Sequence, residues 1–261
     1  MRVDGIPAES AIPVCSEQRV FGRRGWKTLL FAGTGQANKK LRNSKSVKGK
    51  ITEIFFSIQG EGIYAGLPCW FVRFSGCDKN CSYCDTLYAK TGGTLMTAET
   101  VASRIKGPAP VVITGGEPTL QGEFLSALLA EIKSGKHSAR QVFIETAGSN
   151  LLAEPGVFEH ISFHAELPLT PPVRKFIRSI SGVPFTLKIV ITAAAKFEDV
   201  IETSRFLAKF ANSTIVLQPV SAGKKIDKKA LNKAVLFAGR IQRVYPKVRM
   251  LPQIHNLLAL K

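Results

Sequence analysis

A chain of 261 residues with 45% apolar content suits one large α/β domain or two small ones and is too hydrophobic for global disorder. Its formal charge is +17, with a net +8 in residues 1–50, but it carries no helix-turn-helix or zinc-finger signature and no basic–aromatic stacking pattern, so direct nucleic-acid binding is not expected. No signal peptide is evident and no run approaches the roughly 20 apolar residues that span a bilayer, so a cytoplasmic protein with no membrane partner is expected.

Residues 1–49 are basic, Gly-rich and short of periodic apolar pattern, and Gln36–Lys50 is a polar, positively charged linker. This part reads as an N-terminal extension, mobile or loosely packed, ahead of a globular domain at 50–261. Cys69–Ser75 is a run of strand formers ending at Gly76. Thr97 is placed to cap a helix reaching Lys106, and Pro110–Thr114 is a buried-strand run that stops at Gly115-Gly116. Leu120–Lys133 carries Phe124, Leu125, Leu128, Leu129 and Ile132 at helical spacing, with Gly135 as its stop. Further strands are expected at Gln141–Thr146, His160–His164, Thr186–Thr192, Thr214–Val220 and Val248–Leu251. Helices are expected at Ala195–Asn212 and Asp227–Val244, with a helical segment at the C-terminus. This alternation argues for βα units and a largely parallel sheet, open or closed into a partial barrel, with chemistry at the carboxyl ends of the strands.

Five cysteines, three of them within eight residues, do not form a disulfide framework; they point to metal binding in a reducing compartment. Cys77, Cys81 and Cys84 have the spacing C-x3-C-x2-C on one loop, and no nearby His or Cys supplies a fourth ligand. Structural zinc wants four ligands, usually in two pairs. A [4Fe–4S] cluster also normally takes four thiolates, so three leave one iron open to a cosubstrate. That is the need of enzymes that cleave S-adenosylmethionine, whose amino and carboxylate groups chelate the open iron. Cys69 reads as a small buried core residue and Cys15 has no assigned role. Thr114-Gly115-Gly116-Glu117-Pro118 is by itself only a tight strand-to-helix turn; about 30 residues after such a cysteine loop it becomes a place where backbone approaches a bound group.

Through CDKNCSYC and TGGEP the chain resembles the radical S-adenosylmethionine superfamily, and within it the 7-carboxy-7-deazaguanine synthase family. The resemblance runs from about Ile51 to the C-terminus, about four-fifths of the chain. It is carried further by SIQGEG at Ser57–Gly62, by Phe71–Phe74 with Cys77 four residues after Arg73, by Cys84-Asp85-Thr86, by Glu145-Thr146 and by Leu251–His255. It implies an incomplete (β/α) barrel of the radical S-adenosylmethionine type, a homodimer, and the ring contraction of 6-carboxy-5,6,7,8-tetrahydropterin to 7-carboxy-7-deazaguanine with loss of ammonia. A 5′-deoxyadenosyl radical would abstract hydrogen from C6 of the pterin and be regenerated, with magnesium holding the substrate carboxylate. The product would feed queuosine or archaeosine, and an electron donor of flavodoxin or ferredoxin type would reduce the cluster.

Residue roles implied by position follow. Ile58, Gln59 and Gly60 would line the pterin, Arg73 would pair with its carboxylate, and Thr114 would touch it. Thr86 would offer its hydroxyl to magnesium, a hard cation that prefers oxygen. Gly116 and Glu117, with His164, Ala165 and Glu166, would meet S-adenosylmethionine. The last three stand where many members have Ser-Pro-Lys, a departure that leaves backbone contacts as the expectation there. Taken alone, Gln59 and Glu61 read equally as loop polar residues, Arg73 as a paired core arginine and Thr86 as a helix cap. The nearest rival is a glycyl-radical activating enzyme, which shares the cysteines and GGEP but has no need of SIQGEG or Arg73. An iron–sulfur electron carrier would close its cluster with a fourth thiolate, and an RNA-binding module would bind with steep salt dependence.

Overall fold

The computed structural model describes residues 47–134, 140–223 and 225–260. Cys15, Gly135, Lys261 and most of the basic extension lie outside the described residues. The central feature is a nine-stranded sheet. In chain order its strands are β1 (Lys48–Ile58), β2 (Pro68–Phe74), β3 (Thr94–Thr97), β4 (Val111–Gly115), β5 (Val142–Thr146), β6 (His160–His164), β7 (Phe185–Ile191) and β8 (Ser213–Pro219), then β11 (Val248–Met250). Two short strands, β9 (Ser221–Ala222) and β10 (Lys225–Ile226), pair as a separate ribbon. The helices are α1 (Ala98–Arg104), α2 (Gly122–Ile132), α3 (Pro171–Ile180), α4 (Phe197–Leu207), α5 (Lys228–Ile241) and α6 (Ile254–Leu258). Among the described residues no helix is long and apolar enough to cross a membrane.

The sheet order is β11-β8-β7-β6-β5-β4-β2-β1-β3. From β2 through β11 neighbouring strands run parallel, while β1 pairs antiparallel with β2 and β3. The sheet ends at β3 and β11 without closing, so this is the incomplete βα barrel expected from the sequence. Side chains alternate between faces with a period of two. Val72, Phe74, Val111, Ile113, Val142, Ile144, Ile161, Phe163, Leu187 and Ile189 turn to one face, where they join Leu128 of α2, Phe176 of α3 and Leu207 of α4 in the main core. The opposite face holds the smaller apolar group Cys69, Phe71, Val112 and Phe143. Beyond that group, toward the carboxyl ends of the strands, this face becomes polar.

Helix ends follow their sequence signals. The Thr97 side chain accepts from Thr100 N–H at the start of α1, and the Asp227 side chain does so from Ala230 N–H at the start of α5. Five elements were not expected: β1, β3, the short β9 and β10, and α3. Helix α3 starts with Pro at its first turn and buries Phe176, Ile177 and Ile180. Lys48–Lys50, read as the end of the polar linker, are instead the first residues of β1. The reason is tertiary. A Cβ on Gly49 would lie 2.1 Å from Cδ1 of the buried Phe124, so the glycine lets β1 run tightly across α2. Gly49→Ala should overpack this contact and cost about 1–3 kcal/mol, read as a lower urea midpoint at unchanged m-value.

Candidate functional site

Two-residue alternation brings one polar side chain per strand to the same face. Arg73 of β2 registers with Thr114 of β4, Glu145 of β5 with Ser162 of β6, and His164 of β6 with Lys188 of β7. An open cleft of about 250 Å³ lies over this face. Ile58, Gln59, Gly60, Arg73 and Thr114, expected from the resemblance to meet the pterin, and Thr86, expected to meet magnesium, all line it.

One buried cation organises its floor. Lys188 Nζ donates to Glu61 Oε2 at 2.5 Å and also to Glu145 Oε2. Gln253 Nε2 donates to the other Glu61 oxygen at 2.7 Å, and Gln59 Nε2 to the other Glu145 oxygen at 3.1 Å. One ammonium cannot neutralise two carboxylates, and the two respond differently. Burial alone would raise Glu61, but the charge and hydrogen bond of Lys188, with the bond from Gln253, hold it at about 2. Burial dominates at Glu145 and raises it. Lys188 is held firmly protonated because the two carboxylates outweigh its own burial.

The rim supplies the other sign. Arg73 Nε donates to Glu53 Oε1 at 2.8 Å, and Tyr88 Oη donates to the same oxygen at 2.8 Å. The Arg73 guanidinium lies over the rings of Phe55 and Tyr88, at 5.8 and 5.9 Å from their centres. Across the cleft, His255 Nε2 is 3.1 Å from Asp85 Oδ2. Burial opposes charging of His255, yet the bond to Asp85 and the Glu61 and Asp85 charges raise its pKa. Gly60 must be glycine here, because a Cβ would fall 2.1 Å from His255 Nδ1. Its carbonyl accepts from Ile254 N–H, which docks α6 onto the loop after β1.

The cysteine loop follows β2. Cys77, Cys81 and Cys84 are free and partly buried, and burial together with neighbouring negative charge raises the thiols of Cys77 and Cys81. Cys69 is fully buried on β2, and burial pushes its thiol up to about 12. Among the described residues, then, three thiols share one loop without a fourth. That donor set fits a cluster bound through three irons, whose positive charge would offset the cost of forming thiolates there.

The glycine-rich turn after β4 is built around this loop. A Cβ on Gly116 would meet Gly76 O at 2.1 Å and Cys77 Cβ at 2.9 Å. Gly116 N–H donates to Phe74 O and Glu117 N–H to Gly76 O. The close approach expected here toward a cofactor is in the first instance an approach to the cysteine loop. The side chain of Glu117 braces the same turn from within. It is fully buried, and its carboxylate accepts from Thr119 N–H, Thr119 Oγ1, Thr146 Oγ1 and Ala147 N–H at 2.5–2.9 Å. The carboxylate joins the ends of β4 and β5, its oxygens taken by four donors.

His164, Ala165 and Glu166 do not line the first cleft. With Tyr83 of the cysteine loop they line a second one, of about 400 Å³, that extends along the end of β7 to Val200. Tyr83 faces the second cleft while Asp85 and Thr86 face the first, so the cysteine loop divides the two. Lys188, Glu53, Phe55 and Tyr88 were not singled out from the sequence. Lys188 left a signal, a lone charge inside the apolar run Thr186–Thr192. Glu53 left none, since its strand was not expected.

Residues 71–210 match the model of the Radical SAM superfamily. The 7-carboxy-7-deazaguanine synthase of Thermoplasma acidophilum is 33% identical over 218 residues, covering 80% of this chain and 96% of that protein. The 7-carboxy-7-deazaguanine synthase of Chlorobaculum tepidum is 55% identical over 83 residues, a match spanning 30% of this chain and 38% of that protein. The crystal structure of QueE from Escherichia coli is similar in fold, with a TM-score of 0.60 at 22% identity, covering 83% of this chain and 99% of that chain.

The buried cation has measurable consequences. Lys188→Met leaves Glu61 and Glu145 without their ammonium and should cost about 3–5 kcal/mol by urea denaturation near neutral pH. The Glu61 pKa falls from its ordinary 4.5 to about 2 on folding. A depressed carboxylate contributes stability above its unfolded pKa and loses it as pH falls through the folded one. The denaturation midpoint should therefore drop between pH 4.5 and 2 in the native chain, and drop less in Glu61→Gln.

Proposed function

Because the chain belongs to the radical SAM superfamily and, within it, to the 7-carboxy-7-deazaguanine synthase family, we propose that it converts 6-carboxy-5,6,7,8-tetrahydropterin to 7-carboxy-7-deazaguanine with loss of ammonia. The product would serve queuosine or archaeosine formation. The observation that carries this reading is the placement of a cleft lined by Arg73, Gln59, Thr86 and Thr114 beside a loop of three thiols. Cys77, Cys81 and Cys84 would hold a [4Fe–4S] cluster. When bound, the cluster and S-adenosylmethionine supply one-electron chemistry that ends in hydrogen abstraction from the substrate.

The chain's own residues bind, orient and screen. Arg73 spends its Nε on Glu53, which leaves its remaining N–H groups for the substrate carboxylate as charge-assisted donors. Ile58, Gln59 and Gly60 offer backbone and amide groups to the pterin, with Thr114 on its other flank. The Gln59 amide is already bound at both ends, donating to Glu145 and accepting from Glu61 N–H, so it is presented in one orientation. Thr86 and the adjacent Asp85 put a hydroxyl and a carboxylate on the cleft wall, a hard oxygen pair suited to Mg2+. S-adenosylmethionine would lie along the second cleft, meeting Ala165 and Glu166 and, through backbone, the turn at Gly116-Glu117. The protein would work in the cytoplasm as a homodimer and draw its electron from a flavodoxin- or ferredoxin-type donor.

The test is anaerobic turnover of the reconstituted protein with S-adenosylmethionine, a strong reductant, Mg2+ and 6-carboxytetrahydropterin. We expect 7-carboxy-7-deazaguanine in excess of the S-adenosylmethionine consumed. Release of 5′-deoxyadenosine with no product would retain the radical chemistry and reject the substrate. Cys77→Ala should lose the cluster's visible absorbance and Cys69→Ala should keep it; equal loss in both would overturn the ligand assignment. Arg73→Met should lower kcat/KM for the pterin by about tenfold to a hundredfold, the worth of a hydrogen bond to a charged group.

A further inference from the structure

The contact between Tyr83 and His164 has no part in the roles above, yet it reaches the cysteine loop. Tyr83 stands between Cys81 and Cys84, and its hydroxyl is 2.6 Å from His164 Nε2. The two rings meet edge to face, with centres 5.5 Å apart and planes at 85°. His164 ends β6, and its other ring nitrogen, Nδ1, is 3.3 Å from the Lys188 carbonyl oxygen on β7.

The direction of these bonds follows from their ends. A carbonyl oxygen only accepts, so Nδ1 carries the proton. Nε2 of the neutral ring is then a bare acceptor 2.6 Å from the Tyr83 hydroxyl, which donates to it while also lying in hydrogen-bond reach of the Cys81 thiol. The backbone of β7 thus sets the His164 tautomer, and the tautomer sets where the Tyr83 proton points. Burial of His164 favours the neutral ring this arrangement needs.

Other side-chain ties from the loop to distant elements are wet. Ser149 Oγ donates to Asp78 Oδ1 at 2.8 Å and Lys90 Nζ to Asn80 Oδ1 at 2.9 Å, both in exposed surroundings. Backbone bonds secure the start of the loop, through Gly76 N–H to Ala89 O and Glu117 N–H to Gly76 O. At its far end, Cys84 N–H donates back to Cys81 O at 3.3 Å, within the loop itself. Tyr83 gives that end a partly buried link to the sheet.

We propose that the Tyr83–His164 pair is a clamp that fixes the Cys81–Cys84 half of the loop to the ends of β6 and β7, with His164 acting as a positioning residue and not as a ligand. The inference rests on the reading of the three cysteines as cluster ligands. Both side chains of the clamp line the second cleft.

The test compares Tyr83→Phe, His164→Ala, His164→Gln and the Tyr83→Phe/His164→Ala double variant after anaerobic reconstitution. Iron per chain is measured first. The rate of iron loss to a strong ferrous chelator follows, and then KM for S-adenosylmethionine against kcat. Loss of one hydrogen bond should speed iron release about threefold to tenfold in Tyr83→Phe and in His164→Ala. The double variant should be no faster than either single one, because both remove the same bond. His164→Gln restores an acceptor for the Tyr83 hydroxyl and should return the rate toward that of the native chain. KM for S-adenosylmethionine should rise more than kcat falls. Native release rates in both single variants, or additive effects in the double, would overturn the clamp. A native chain that takes up no iron would overturn the cluster reading beneath it.

Discussion

The arrangement depends on one buried ammonium. Lys188 projects from β7 between Glu61 and Glu145, and those three charges fasten parts of the chain that are far apart in sequence. Glu61 belongs to the loop after β1, Glu145 to β5, and Gln253, which completes the Glu61 shell, to the segment before α6. Such a cluster adds little net stability over well-packed apolar residues, since desolvation offsets the attraction. What it supplies is discrimination between arrangements, because any packing that separates the three leaves an uncompensated charge. Lys188 also faces both functional regions. Its side chain floors the first cleft, and its carbonyl receives His164 at the edge of the second.

A second constraint is steric. The cysteine loop and the turn after β4 approach so closely that neither Gly115 nor Gly116 has room for a Cβ: Phe74 O would lie 2.5 Å from the first and Gly76 O 2.1 Å from the second. Glu117 then closes the junction from within, its oxygens filled by donors from its own turn and from the end of β5. A short sequence that looks like a ligand-binding signature is therefore largely a packing device for the loop that carries the ligands. Its residue types are required by the neighbouring backbone before any small molecule is considered.

The two clefts divide the chemistry by charge and by surroundings. The first combines a guanidinium held over two aromatic rings with carboxylates and a hydroxyl. The second runs along the ends of β6 and β7, lined by Ile189, Val190 and Val200 beside Tyr83 and His164. The cysteine loop contributes Tyr83 to the second, and Asp85 and Thr86 just after it line the first. The alternation of the strands makes this possible, since it gives the helices an apolar face and leaves a polar residue at the end of nearly every strand for the other.

Much of this was legible in the sequence, because its signals are local. Three thiols within eight residues, glycines after a buried strand run, and apolar residues at periods of two and 3.6 all act between near neighbours in the chain. They sufficed for most of the strand–helix order from Cys69 onward, the largely parallel sheet and the resemblance whose residues meet in the first cleft. Of the elements that were missed, β1 and β3 form through partners distant in sequence. Strand β1 begins in what reads as a charged linker and is held by β2, β3 and the underside of Phe124. The Glu61–Lys188–Glu145 cluster spans 127 and 43 residues, and the Tyr83–His164 link 81. The sequence by itself determined which residue types stand at the strand ends. Only the tertiary structure decided which of them meet, because a buried charge or a hydroxyl finds its partner through the packing of the whole sheet.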